Sequence, residues 1–146
     1  LDLGLPELFE HRIIDLFPVR FRELGKGEDL VLGGVSAGAS CWFQGCVTDA
    51  FGPIRAWRGG LGLLDGSFCP HFDRKENRAE VYAQAVASGV LPAGYAVDDG
   101  AAVRFTDGEF AEVVAEREEA TVGRIATTQE PASSGIYREE LAPRLL

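Results

Sequence analysis

The alternation of apolar and polar positions cuts the chain into short blocks separated by glycine and proline. LPELFEHRIIDLF, near the start, places its apolar residues at helical spacing, and Pro6 suits a first helical turn. GKGED, ending at Asp29, reads as a turn. Leu30 to Leu32 then form a short apolar strand that runs into Gly33 and Gly34. From Ala37 onward, through ASCWFQGCV, the pattern is helical, weakened by Gly45. Residues 51–66 (FGPIRAWRGGLGLLDG) read as loop, with four glycines between 59 and 66. SFCPHFD is a short strand ending near Pro70. NRAEVYAQAVASG, residues 77–89, is the clearest helix: Val81, Ala85 and Val86 share a face, and Gly89 suits its C-terminal cap. GYAVDDGAAVRFTDGEFAEVV reads as strand, DDG turn, strand, DG turn, strand. The tail after Glu116 is charged, then rich in Thr, Ser and Pro. It predicts a strand or two and a loosely held end.

Strands that alternate with helices predict an α/β fold, with a mostly parallel sheet flanked by helices. The later hairpins predict an antiparallel C-terminal extension. The 146 residues suffice for one domain over 1–146, with residues 1–29 of uncertain assignment.

Composition narrows the function. A net charge of −9 argues against a nucleic-acid groove, which needs clustered Lys and Arg. No apolar run approaches the ~20 residues of a membrane span, and no secretory signal is visible at the start. Cys41, Cys46 and Cys69 are odd in number and lack CxxC spacing, which favours reduced thiols in a cytoplasmic protein. The chain contains no Met, so residue 1 is not an initiator: the start was processed off, or the chain is a piece of a longer protein.

Candidate chemistry centres on Gly34-Val35-Ser36-Ala37-Gly38, a G-x-S-x-G pattern. A sharp strand-to-helix turn would hold Ser36 in a strained conformation with its hydroxyl projecting. Flanking side chains would clash, so glycines stand there. The Ala37 N–H would point at a developing oxyanion. Taken by itself, a glycine-rich turn with a serine is more often a packing or phosphate-binding turn. A serine also needs a base. His11 sits among charged residues and reads as an exposed helix histidine. His71 follows Cys69-Pro70 at a strand end, where sites gather in α/β sheets. Asp49, Asp73, and the Asp98 and Asp99 of the DDG turn are all candidates to orient it, and sequence spacing does not choose among them. None of the three cysteines occupies the turn, so a thiol nucleophile is disfavoured. A metal site from Cys69, His71 and Asp73 lacks a second cluster.

Four ordered blocks carry a resemblance: GGVSAGASCWF, VTDAFGP, GLGLLDGSFCPHFD and LPAGYAVDDGAAV. Over about residues 30–110 they resemble peptidase family S51, most closely its dipeptidase E-like (α-aspartyl dipeptidase) branch. The resemblance implies a class I glutamine amidotransferase-like (flavodoxin-like) sandwich in which serine replaces the nucleophilic cysteine. It makes Ser36 the nucleophile, His71 the base, Asp49 the acid and Ala37 the oxyanion donor, with Asp73 the rival acid. Arg78 and Gly34 are expected at the substrate, Arg78 as the clamp of an N-terminal aspartyl carboxylate. No cofactor and no metal are implied. Residues 1–29 do not resemble the glycine-rich loop that precedes the nucleophile in the family. The chain therefore resembles a C-terminal part of such a protein, and a sheet edge left exposed would invite association, a homodimer for example, or instability, with the oligomeric state left open. The function expected is serine-dependent hydrolysis of aspartyl dipeptides. The alternative is a catalytically inactive, amidotransferase-like fragment or binding domain.

Overall fold

The computed structural model describes residues 31–74, 77–128 and 136–146. The helix read at LPELFEHRIIDLF, His11, the GKGED turn and Leu30 lie outside them. A short helix, α1 (Ala37–Ser40), precedes β1 (Gly45–Thr48) and β2 (Arg55–Trp57). β3 (Ser67–Cys69) leads to α2 (Arg78–Ala87) and β4 (Gly94–Val97). β5 (Ala101–Thr106), β6 (Glu109–Ala115), β7 (Val122–Thr127), β8 (Ile136–Leu141) and β9 (Pro143–Leu145) follow.

The strands build two sheets. Six lie in the order β2-β1-β3-β4-β7-β8, and three in the order β5-β6-β9. Only β1-β3 and β3-β4 pair in parallel within the larger sheet; β1-β2, β4-β7 and β7-β8 are antiparallel. The fold is α/β, but the expected mostly parallel sheet is corrected to a mixed one with a parallel centre. The DDG segment is not a hairpin within one sheet: it carries the chain from β4 in the larger sheet to β5 in the smaller. The β5-β6 hairpin at the DG turn forms as read, with a bulge between Arg104 and Phe105. The chain end is paired: β9 runs parallel to β6, and the Leu146 N–H donates to the Ala115 carbonyl.

Each face of the larger sheet has its own core. Val47, Cys69, Ala96 and Ile125 point to one side and pack against Tyr82, Ala85 and Val86 of α2. Cys46, Phe68, Tyr95 and Val97 point to the other side, with Phe43 and with Val113 of β6. β1, β3 and β4 are buried on both faces and so show no alternation of buried and exposed positions, as central strands of such sheets do. α2 ends where the sequence predicts, with Gly89 at φ 72 beyond the capping Ser88.

The helix predicted from Ala37 stops at Ser40. Tertiary contacts override it: the Phe43 ring stacks on Phe68 at 5.0 Å and meets Phe105 edge-on at 5.7 Å. The Gln44 N–H donates to the Gly66 carbonyl, and Leu61 and Leu64 N–H groups donate to the Cys41 and Trp42 carbonyls. The glycine-rich segment 59–66 thereby wraps the chain after α1 and turns it into β1. β2, read as loop, pairs with β1 instead. Val31 and Leu32 carry no strand. Both edges of β1, β3 and β4 are occupied by other strands, so no edge of the parallel centre is open to them.

Candidate active site

Ser36 sits on the turn into α1 with φ 54 and ψ −117, a region that residues with side chains rarely adopt. The turn is tied from below: the Ser40 N–H and Ser40 Oγ both donate to the Ser36 carbonyl at 3.0 Å, and the Gly38 N–H donates to the Val35 carbonyl at 2.9 Å. Gly34 is required here, because a Cβ would overlap the Gly38 carbonyl. Gly38 is not: a Cβ there meets nothing within 4 Å, so the expected clash holds for only one of the two flanking glycines. Ala37 is the first helical residue, and its N–H has no intrahelical acceptor.

His71 follows β3 on a second tight turn, also at positive φ (56), closed by the Arg74 N–H donating to the His71 carbonyl. Its Nε2 lies 2.9 Å from Ser36 Oγ. Its Nδ1 meets Oδ1 of Asp99. Asp99 stands in the turn after β4. A serine hydroxyl, an imidazole and a carboxylate thus form one hydrogen-bonded chain, drawn from three separate turns. The His71 bond is the largest cause that holds the Asp99 carboxyl below the ordinary carboxylate range; burial, the next largest, opposes it, and the Arg74 bond adds to the lowering.

Asp49, expected to orient His71, does not reach it. β3 lies between β1 and β4, and a carboxylate emerges after each flanking strand: Asp49 after β1, Asp99 after β4. Asp49 faces the start of α2 and accepts a hydrogen bond from Arg78 Nη2 at 2.7 Å. Asp99 lies on the imidazole side. Asp73, the rival, accepts the Asp99 N–H at 3.0 Å through Oδ1 and so acts on the backbone of the acid. Asp98 accepts from the N–H and hydroxyl of Thr121.

Arg78 is buried, at 4% exposure, and its Nε has no hydrogen-bond partner among the described residues. Cys69 is buried among the α2 contacts, and among the described residues Cys69, His71 and Asp73 form no group that could hold a metal ion. Burial is the main cause that raises the pKa of all three free thiols, Cys69 to about 12. They are protonated at neutral pH, the wrong state for a nucleophile. The residues that sequence reasoning missed are Ser40 and Arg74, the latter bonded to Asp99 Oδ2. The one signal for Arg74 is its place three residues after His71, within one turn.

The sequence profile of peptidase family S51 matches residues 21–113. A Bacillus subtilis (strain 168) protein named as an uncharacterized peptidase, YgaJ, is 43% identical over 96 residues, covering 66% of this chain. This chain spans 41% of that relative's length. No helix among the described residues is long and apolar enough to cross a membrane. With more than half of its residues matched by the family profile, the chain belongs to peptidase family S51.

Proposed function

We propose that this chain hydrolyses short peptides with Ser36 as nucleophile, His71 as general base and Asp99 as the orienting acid. The observation that carries the reading is the hydrogen-bonded chain from Ser36 Oγ through His71 to Asp99. Ser36 Oγ attacks the scissile carbonyl carbon as its proton passes to His71 Nε2. Nδ1–H donates to Asp99, which fixes the tautomer and stabilises the imidazolium. The Ala37 N–H donates to the oxyanion of the tetrahedral intermediate. Collapse breaks the C–N bond, and His71 returns the proton to the leaving amine. A water then attacks the acyl-enzyme carbonyl, giving its proton to His71; collapse breaks the ester C–O bond, releases the acid product, and His71 returns the proton to Ser36 Oγ.

An N-terminal aspartyl dipeptide is the substrate we propose. Arg78 supports this choice: its guanidinium already holds one carboxylate, that of Asp49, the group an aspartyl substrate would present. The parallel centre β1-β3-β4 is in keeping with the amidotransferase-like sandwich that the family resemblance implies. Three free thiols are in keeping with a reducing, cytoplasmic compartment.

The test is release of free aspartate from Asp-Leu by the wild-type chain and by Ser36→Ala. Turnover in the wild type, reduced by about 10⁵ to 10⁶ in kcat in the variant, is the expected result. Equal turnover in both overturns the reading, and turnover in neither favours the non-catalytic alternative for this chain.

A further inference from the structure

The turn that carries His71 also places a cation on the acid of the site. Arg74 Nε donates to Asp99 Oδ2 at 3.0 Å, while Asp99 Oδ1 faces His71 Nδ1. The backbone of Asp99 is fixed separately. Asp73 Oδ1 accepts its N–H, and Arg117 Nη2 donates to its carbonyl at 2.6 Å. Neither bond touches the carboxylate. With the main chain held, the freedom left to Asp99 is rotation about its side-chain torsions, and its two oxygens have one described partner each.

We propose that Arg74 is a positioning residue for the Ser36–His71–Asp99 chain, holding Asp99 Oδ2 so that Oδ1 stays on the imidazole. The proposal rests on the hydrolytic reading above and adds a residue to it.

Arg74 also acts through its charge. Among the described residues, charged groups near the His71–Asp99 pair come from three loops and from β8, whose Arg138 guanidinium lies over the Phe72 ring at 4.9 Å. The loop after β3 supplies Asp73 and Arg74. The turn after β4 supplies Asp98, engaged by Thr121. The loop after β6 supplies Glu116 and Arg117. The guanidinium of Arg117 lies 3.1 Å from Glu116 and 3.9 Å from Asp73, so its charge is shared between them. That of Arg74 is directed at the Asp99 carboxylate. Ser36 adds a neutral hydroxyl. Taking the Arg74 charge away leaves Asp99 more negative toward its partner, and the coupled pair then holds a proton more tightly. The acid limb of kcat/KM therefore moves to higher pH. Arg74 is half exposed and screened by solvent, so the move is small and shrinks as salt is added.

The experiment compares wild type, Arg74→Gln and Arg74→Lys in two readouts. One is the pH profile of kcat/KM for Asp-Leu. The other, independent of turnover, is an NMR titration followed at the Asp99 carboxyl carbon and the His71 ring nitrogens. The second histidine signal is removed with His11→Gln. The expected result is an upward move of the limb and of the NMR midpoints in Arg74→Gln, reversed in Arg74→Lys, with the melting temperature unchanged. Midpoints that stay at wild-type values in Arg74→Gln overturn the proposal. So does a fall in melting temperature without a move in midpoint, which marks a structural role alone. If Ser36→Ala keeps full activity or the wild type has none, the hydrolytic reading fails and the NMR midpoints alone decide the placement of Arg74.

Discussion

Asp49 and Asp99 emerge from strands on either side of the one that leads to His71, and they take different partners. Substitution should separate them. Asp99→Asn keeps the shape but no longer stabilises the imidazolium, and kcat is expected to fall by roughly 10⁴. Asp49→Asn leaves the buried Arg78 guanidinium without its carboxylate. Asp49 is largely exposed, so the expected loss is roughly 1–3 kcal/mol of stability, read from urea unfolding, with kcat within about tenfold of wild type. The reverse pattern would return the acid's role to Asp49. The reason the sequence did not separate them is physical. D-D-G is a strong turn signal, and a turn aspartate looks the same whether it caps a backbone or holds an imidazole. The Ser36 turn was legible because close backbone approach limits which residues fit, and that constraint is written in small side chains.

At the scale of elements, the Ser36 turn and α1 depend on one backbone approach. Gly34→Ala drives a Cβ into the Gly38 carbonyl, so α1 must shift and Ser36 Oγ must leave His71. Peptide hydrolysis is expected to fall at least a hundredfold, consistent with the cost of an ångström-scale misplacement. Gly38→Ala enters open space and replaces a poor helix former, so activity within a few-fold of wild type is expected. Equal damage from both would mean that the turn is crowded on each side. The helix over Arg78–Ala87 and the strands at residues 94–97, 101–106 and 109–115 were legible because local period and turn chemistry agree there. α1 was read as too long and β2 was missed because what decides them is distant: the Phe68 and Phe105 rings, and the wrapping of residues 59–66.

Across the whole molecule, sheet order was the least legible feature. Parallel and antiparallel neighbours are chosen by crossovers that a linear pattern does not encode, so a mixed sheet was read as mostly parallel. The two cores beneath it make a further prediction. Cys69 is pushed up to about 12 from 9.0 by burial, and burial likewise raises the Tyr82 phenol. The unfolded chain releases the thiol proton near pH 9, whereas the folded chain keeps it until about pH 12. Stability that is fully present below about pH 9 is therefore lost as pH rises through that window. Urea midpoints are expected to fall between about pH 8 and about pH 11, and a flat profile would contradict the burial of this thiol. Asp99 adds the opposite slope at low pH: its depressed carboxyl contributes stability above the unfolded value of 3.8 that is lost as pH falls through the folded one.

The turn that bears Asp99 is also the covalent bridge between the two sheets, from β4 in one to β5 in the other. The register of Asp99 against the histidine is therefore set in part by how the small sheet sits on the large one, through the bond from Arg117 to the Asp99 carbonyl. Warming that loosens the small sheet would disarm the site while β4 keeps its slow amide exchange, so enzymatic inactivation would run ahead of global melting. The hydrogen-bonded chain of Ser36, His71 and Asp99 then works as a built-in gauge of whether the two layers are docked.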